Sequence, residues 1–464
     1  MSGGPDLVVA GAGGGLAGAL RAAELGLDVL VIEADEHFRR GNNTSMSTAM
    51  FPGAGSRWQR DAGVDDSPDR FVADIDAKTG GTADARLART LAEVSAPLVE
   101  WLADSVELPL SLVTDFNYPG HAVPRCHSVP GRHGSTVIDH LARRARAHPN
   151  IDLLVPARLA DVATGPDGAV RAAVVQYPDG AREEIPTRAV LLATNGYGAD
   201  RDLVERHLPE IAGASTTAAS TPGATRCGSA AGSARPPATW TPTRATAPSR
   251  PARAPSSAGR RSSTAGSSST PAAAGSATRP AVTPSTPPRS PPARTPPAGS
   301  SSTRPSTTSA ARSRTSATPS RPASCVGRRR RGPRRGDRPA RGRPRRRTRG
   351  RTPPVARGET ADAHGRTNWE RPLEPPYAAV RVVPALFHTQ GGLIVNEDAA
   401  VVRPDDTPIP GLYAAGGAAA GISGHGAAGY LPGNGLLPAF GLAYLAAGAA
   451  ARGRTAPTPH NEGE

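Results

Sequence analysis

The stretch DLVVAGAGGGLAGALRAAELGLDVLVIE, residues 6–33, decides the fold of this 464-residue chain. The apolar run Leu7–Ala10 stops at a glycine, which is typical of a buried parallel strand that ends in a turn. A helix is predicted from the glycines to about Leu25, because apolar residues recur at helical spacing and Gly26 supplies a stop. Val29–Ile32 predicts a second buried strand, so the stretch forms a strand–helix–strand unit.

Glycines fill the turn between the first strand and the helix. Glycine is needed where the backbone turns sharply and where a pyrophosphate approaches the amide groups of a helix N-terminus. The pattern G-x-G-x-x-G fits at Gly13, Gly15 and Gly18, whereas a register starting at Gly11 has Leu16 in its third position. The candidate nucleotide-binding glycines are Gly11, Gly13, Gly14, Gly15 and Gly18.

Glu33 ends the second strand and lies 20 residues after Gly13. A carboxylate at this point can accept hydrogen bonds from a ribose diol. Glycines, flanking strands and this acid together predict a dinucleotide site, and the alternative is a glycine-rich turn without a ligand.

Four later stretches place polar groups or bare backbone at predicted strand ends or helix starts. Residues 40–47 follow the second strand, residues 193–198 follow the buried strand 189–193, and residues 409–417 run from a strand into glycines. Residues 433–437 open a helix that ends near Ala450. For the first two stretches the alternative is an ordinary loop. The candidate cofactor-binding residues here are Asn43, Thr44, Ser45, Ser47, Ala193, Thr194, Asn195, Gly196, Gly416, Gly417, Gly433, Asn434, Gly435, Leu436 and Leu437.

The chain has a net charge of +15, and its excess of positive charge is confined to one segment. Residues 214–354 contain 28 Arg, one acidic residue (Asp337), and no Lys, Leu, Ile, Phe, Tyr or Met, whereas the remainder carries −12. The overall charge therefore does not indicate a nucleic-acid-binding protein. This segment is predicted to be disordered, because it has too little apolar surface to offset a backbone ordering cost of roughly 1–2 kcal/mol per residue.

Three interpretations of residues 214–354 stay open: a natural linker, an arginine-rich nucleic-acid-binding insert, and translation in a shifted reading frame. If the true frame starts at the third base of each codon, the junctions from Thr239 to Ala247 are compatible with Leu-Asp-Ala-Tyr-Gln-Gly-His-Gly. That string is typical of a globular protein. A frame error would also explain 28 Arg without a single Lys.

The three cysteines follow no disulfide or metal spacing, and no metal site is predicted. This pattern suggests a reducing compartment, and we expect a cytoplasmic protein. The first apolar run lacks the length and basic flank of a signal peptide. Residues 435–451 are apolar but short for a bilayer, and Pro438 and Gly441 interrupt them, so no membrane span is expected.

Five stretches resemble, in their order, the fumarate reductase/succinate dehydrogenase flavoprotein family, which includes 3-ketosteroid Δ1-dehydrogenases. The resemblance covers residues 6–213 and 355–450. The matching stretches are residues 6–33, 41–47, 193–198, 388–392 (His-Thr-Gln-Gly-Gly) and 411–437.

The resemblance implies an α/β fold with a Rossmann-like FAD-binding domain that is split in sequence. This domain has three layers, with a parallel central sheet and a β-meander, and a capping domain is inserted between its two parts. Here the Ala/Pro/Ser/Arg-rich segment replaces most of the cap. The expected divisions are the first part of the FAD domain at 1–213, the low-complexity segment at 214–354, a cap remnant at 355–371, the second part at 372–452 and a disordered tail at 453–464.

Family chemistry implies hydride transfer between flavin N5 and a C–C/C=C unit next to a carbonyl or carboxylate, with an unidentified electron donor or acceptor. His388 matches the histidine that contacts the substrate, and the alternative is a structural histidine. Tyr430 stands where dicarboxylate reductases have a clamping arginine, which favours a ketone or enone over fumarate. FAD is expected to be noncovalent, because no histidine matches the covalent flavin site. With most of the cap missing, we expect weak activity, and a nucleic-acid partner is not expected.

Overall fold

The computed structural model describes residues 4–213, 215–216, 245–249, 383–424 and 429–455, which all belong to one compact unit. The proposed cap remnant and most of segment 214–354 lie outside the described residues. The strands in these residues are β1 Leu7–Ala10, β2 Val29–Ile32, β3 Phe51–Pro52, β4 Ser111–Leu112, β5 Cys126–Ser128, β6 Ile151–Leu154, β7 Arg158–Thr164, β8 Val170–Gln176, β9 Arg182–Pro186, β10 Val190–Leu192, β11 Ser215–Thr216, β12 Ala245–Ser249, β13 Val383–Leu386, β14 Ala400–Val402 and β15 Pro408–Ala414. The α-helices are α1 Gly15–Glu24, α2 Asn43–Met46, α3 Arg57–Asp61, α4 Pro68–Thr79, α5 Ala85–Asp104, α6 Gly134–Ala147, α7 Arg201–His207 and α8 Leu436–Thr455.

The central sheet has six strands in the order β14-β15-β10-β1-β2-β6. Five of them run parallel, and β14 pairs antiparallel with β15 at one edge. Buried apolar runs form these strands because both faces of a parallel sheet are covered. β15 lies beside β10 although more than 200 residues separate them in sequence. The predicted α/β fold with a domain split in sequence is therefore confirmed.

Three smaller sheets accompany the central one among the described residues. β7, β8 and β9 form an antiparallel meander, and the backbone of β8 contacts β15. β3, β5 and β4 form a second antiparallel sheet. β13 pairs with β11 and β12, two short strands inside 214–354 that composition did not predict. The predicted β-meander is confirmed.

The buried helices α1 and α8 pack against each other, and α5 packs against α8. α8 extends to Thr455, five residues beyond the predicted end near Ala450. α8 alone among the described helices is long and apolar enough to cross a membrane by composition, yet 61% of that window is buried inside the protein. Close packing on α1 favours a core helix.

Candidate functional site

The carboxyl ends of three parallel strands meet at one edge of the central sheet. The backbone N–H of Ala193 donates to the carbonyl of Ala10 (2.8 Å), and the N–H of Ala415 donates to Leu192 (2.9 Å). The loops that follow β1, β10 and β15 are therefore adjacent. Ligands of open α/β sheets bind at this edge.

Four of the five turn glycines make room for neighbouring protein atoms. Gly11 has φ +102°, and a Cβ there would lie 2.4 Å from the carbonyl oxygen of Ala193. A Cβ at Gly14 would lie 2.3 Å from the carbonyl oxygen of Ala439 in α8. At Gly15 and Gly18, a Cβ would approach side chains of the sheet to within 2.7 Å and 2.9 Å. Their absent side chains allow α1 to pack closely on the sheet and on α8.

Gly13 differs from the other four, because a Cβ there would have one described heavy atom within 4 Å, the Thr44 hydroxyl oxygen at 3.2 Å. Its backbone thus borders open space beside the start of α1. Among the described residues no side chain caps this helix. An open glycine beside an uncapped helix N-terminus fits the pyrophosphate of a dinucleotide.

Glu33 lies at the end of β2 and contacts the glycine turn. Its Oε2 accepts a hydrogen bond from the N–H of Ala12 (2.8 Å), and its Oε1 accepts one from Asp35 (2.9 Å). Burial raises the pKa of Glu33, and these backbone hydrogen bonds oppose that shift. Backbone donors of the glycine turn and of the segment after β2 thus hold the carboxylate at the point where a ribose hydroxyl would bind.

The loop around α2 contacts the later sequence segment of the split domain. The side-chain amide of Asn43 donates to the carbonyl of Phe387 (2.9 Å), 344 positions away. Its Oδ1 is buried and has no hydrogen-bond partner among the described residues. A bound ligand with an N–H or O–H group would satisfy this acceptor.

The two serines of this loop make local hydrogen bonds. Ser45 Oγ donates to the carbonyl of Asn42 (2.9 Å), and Ser47 Oγ donates to that of Thr44 (2.7 Å). Ser47 Oγ also accepts from the N–H of Ala49 (3.1 Å). Both hydroxyls stabilise the loop, whereas their cofactor contact stays a prediction.

The turns after β10 and β15 touch through bare backbone. A Cβ at Gly196 would lie 2.7 Å from Thr389 Oγ1, and one at Gly417 would lie 2.5 Å from the N–H nitrogen of Gly196. Asn195 adopts φ +68°, a left-handed conformation that asparagine tolerates. The candidate residues Ala193, Thr194, Asn195, Gly196, Gly416 and Gly417 thus converge at the sheet edge.

His388 lies at one end of a buried hydrogen-bonded chain that the sequence did not predict. Gln390 Nε2 lies 2.7 Å from His388 Nδ1, and Gln390 Oε1 accepts from Asn434 Nδ2. The same Asn434 nitrogen donates to Ser423 Oγ (2.6 Å). The sequence signal for this chain was Gln390, which lies between His388 and two glycines, but its partners Asn434 and Ser423 are distant in sequence.

Tyr430 lies beside His388, with ring centroids 5.7 Å apart. Two residues on, the carbonyl of Pro432 lies 2.8 Å from His121 Nε2, and His121 Nδ1 lies 3.0 Å from Arg125 Nη1. Burial lowers the pKa of His121 to about 4, so this ring is neutral at pH 7. Its Nδ1 accepts from Arg125, and its Nε2–H donates to Pro432.

The segment 433–437 leads into α8. Gly433 adopts φ +87°, and a Cβ at Gly435 would have no described heavy atom within 4 Å. Leu436 and Leu437 are buried, and the N–H of Leu437 donates to the carbonyl of Gly433 (3.2 Å), so a contact of these two residues with the cofactor stays a prediction. Within the ranges that the structure describes, no group of three His, Cys, Asp or Glu residues could hold a metal ion.

Two segments far apart in sequence thus build one dinucleotide-type site on a parallel sheet, which defines a split nucleotide-binding domain. A family model described as FAD binding domain matches residues 6–231 and 342–436, and the chain belongs to this family. The predicted cofactor, FAD, is therefore confirmed.

The chain is also similar to individual flavoproteins. Fumarate reductase 1 of Saccharomyces cerevisiae is 26% identical over 228 residues, which cover 47% of this chain and 47% of that protein. The 3-oxosteroid 1-dehydrogenase of Mycobacterium tuberculosis is 40% identical over 73 residues, covering 16% of this chain and 13% of that protein. The chain thus matches less than half the length of each relative.

The structural likeness concerns the fold. The open conformation of a flavocytochrome c3 fumarate reductase superposes with a TM-score of 0.64 at 20% identity, covering 98% of this chain and 79% of that chain. The similarity predicted to the fumarate reductase and ketosteroid dehydrogenase flavoproteins is confirmed by these matches.

We expect Gly13→Val to weaken FAD binding by at least about 100-fold, equivalent to about 2.7 kcal/mol. The valine side chain would occupy the open space beside α1, where a pyrophosphate must approach. FAD affinity, measured by flavin fluorescence quenching, checks this. The control is Gly453→Val on α8, where a Cβ has no described heavy atom within 4 Å. Equal affinity of both variants would contradict the placement of the site.

Proposed function

We propose that this protein is an FAD-dependent oxidoreductase that transfers a hydride between flavin N5 and a C–C/C=C unit next to a carbonyl or carboxylate. One observation carries the proposal: the side chains of His388 and Tyr430 lie together beside the dinucleotide-type site. His388 follows Phe387, whose carbonyl accepts a hydrogen bond from Asn43 of that site. Bound FAD would supply the hydride acceptor or donor. Glu33, Gly13 and the start of α8 are the proposed noncovalent FAD-binding elements.

His388 and Tyr430 would bind the activating oxygen of the substrate. When a hydride adds to the β-carbon of an enone, negative charge develops on the carbonyl oxygen. An imidazole N–H and a phenol O–H can each donate a hydrogen bond to that oxygen and stabilise the charge. The two donors would also orient the substrate.

The proposed substrate class is a ketone or enone. Tyr430 can donate one hydrogen bond to a carbonyl, whereas only an arginine can bind both oxygens of a carboxylate in a fork. The relatives include a fumarate reductase and an oxosteroid dehydrogenase. The tyrosine favours chemistry of the second kind.

Four further points concern the whole protein. The electron donor or acceptor is unidentified, and a cytoplasmic location is proposed from the cysteine pattern. The shifted-frame interpretation concerns a segment that lies mostly outside the described ranges, and resequencing the gene tests it. The alternative function, nucleic-acid binding by the arginine-rich insert, gains no support from the fold or the comparisons.

The test uses the full chain reconstituted with FAD and reduced with dithionite without oxygen. Return of the visible flavin absorbance is followed after adding cyclohexenone or fumarate. We expect the enone to reoxidise the flavin at least about tenfold faster, a difference of about 1.4 kcal/mol in activation free energy. Tyr430→Phe should lower the enone rate about tenfold, because one hydrogen bond is lost.

Tyr444→Phe is the matched control, since this ring packs on Trp101 and under Arg21. A faster reaction with fumarate, or equal rates for the two tyrosine variants, would overturn the substrate assignment. A protein that binds no FAD would overturn the proposed function itself.

A further inference from the structure

Gln390 joins His388 to the loop that precedes α8. Gln390 is buried, with 9% of the residue exposed, and its backbone adopts φ +57°. The N–H of Gly421 donates to its carbonyl oxygen (2.8 Å), which holds this backbone in place. The side-chain amide of Gln390 therefore has a partner at each end: its nitrogen lies near His388, and its oxygen lies near Asn434.

We propose that Gln390 is a positioning residue that holds His388 as the neutral tautomer with its proton on Nε2. An amide nitrogen has two donors and no acceptor, so His388 Nδ1, 2.7 Å away, must accept. A neutral imidazole that accepts at Nδ1 carries its proton on Nε2.

Asn434 and Ser423 set the direction of the Gln390 amide. Asn434 Nδ2 donates to both Gln390 Oε1 and Ser423 Oγ. Ser423 Oγ also accepts from the N–H of Leu431 (3.2 Å). If the Gln390 amide alone were reversed, its nitrogen would face the Asn434 nitrogen, and one N–H of each amide would lack an acceptor, while Asn434 would keep its hydrogen bond to Ser423. Burial makes that arrangement costly, since an unsatisfied buried donor costs about 1–3 kcal/mol.

The consequence for chemistry rests on the proposed function. A substrate oxygen that gains negative charge needs a donor, and Nε2–H is the donor that this tautomer provides. The opposite tautomer would present a lone pair at Nε2 and repel that oxygen. In a serine protease triad, the wrong histidine tautomer lowers kcat by about 10⁴-fold.

The experiment measures the imidazole tautomer directly, in the full chain without substrate. Protein with ¹⁵N-labelled histidine gives ring nitrogen shifts in long-range ¹H–¹⁵N spectra, and His388 is assigned by the signals lost in His388→Gln. We expect a protonated Nε2 and an unprotonated Nδ1. Gln390→Glu should invert this pattern, because the carboxylate accepts from Nδ1–H while still accepting from Asn434.

Two further variants complete the test. Gln176→Glu, on the meander strand β8, is the control and should leave the His388 signals unchanged. Gln390→Met removes both contacts and should give a mixture of tautomers, which covers the case in which Gln390→Glu does not fold. In substrate reactions, Gln390→Glu should lower kcat about 100-fold with KM changed less than about threefold.

A wild-type protein with its proton on Nδ1, or a Gln390→Glu protein with unchanged shifts, would overturn the proposal. Because the tautomer is read without substrate, this result is independent of the enone test. A confirmed tautomer with no enone reaction would leave the positioning role intact and reject the proposed ketone or enone substrate class.

Discussion

Arg125→Met is expected to lower the free energy of unfolding by about 3–5 kcal/mol. The guanidinium is fully buried and lies 2.8 Å from both Asp66 and Asp74, whose side chains are 0% and 15% exposed. Removing it leaves two carboxylates with little water to solvate them. The loss is large because breaking a buried ion pair leaves an uncompensated charge.

The same variant should also weaken FAD binding. Arg125 Nη1 donates to His121 Nδ1, and His121 in turn donates to the carbonyl of Pro432, just before α8. The side chain therefore ties the buried ion cluster to the loop that carries Tyr430 and Asn434. Without Arg125, His121 can present Nδ1–H or Nε2–H, and the loop loses a directed hydrogen bond.

The matched control is Arg144→Met. Arg144 pairs with Glu107 at 2.9 Å, but their side chains are 40% and 67% exposed. An exposed pair contributes about 0–1 kcal/mol, because water screens it. Urea titration of both variants measures the difference. Adding Asp66→Asn to Arg125→Met should recover part of the loss. Midpoints within experimental error of each other for the two methionine variants would refute the role of the cluster.

His388→Ala is expected to slow flavin reoxidation by the enone about 100- to 1000-fold, with FAD affinity unchanged. The expected size is that of removing one donor to a developing oxyanion, about 2.7–4 kcal/mol. The imidazole lies 5.7 Å from the Tyr430 ring and beside the Gln390 amide, so its position is determined from two sides. His388→Gln keeps an N–H donor and should recover part of the rate.

His37→Ala serves as the comparison, because that side chain is 81% exposed. Single-turnover reoxidation isolates the chemical step from electron supply. Equal rates for His388→Ala and His37→Ala would show that His388 has only a structural role.

Local sequence determined the strand–helix–strand unit, because apolar runs and glycines act over a few residues. The predicted helix from the glycines to about Leu25 ends at Glu24, and the predicted strands match β1 and β2 within a residue. α4 was not predicted, although Ser67 caps its start and Gly80 ends it. Its apolar stripe is narrow, so periodicity was a weak signal.

The sequence alone also named candidate residues in both segments of the split domain, because the carboxyl ends of parallel strands share one edge of the sheet. The sequence could not show which glycines pack against other protein atoms and which border open space. Gly11 and Gly14 meet the carbonyls of Ala193 and Ala439, and those partners come from segments about 180 and 425 residues away. A glycine's role depends on the atom opposite it, which only tertiary packing brings there.

The tertiary structure alone decided the orientation of His388. His388 and Gln390 follow β13, Asn434 lies two residues before α8, and hydrogen bonds join these residues to one another and to Ser423 from the segment between them. Hydrogen bonds act over about 3 Å, whereas sequence patterns report only nearby positions. The sequence therefore named the candidate groups for binding and chemistry, and the packing of distant segments decided which atom of each group faces which partner.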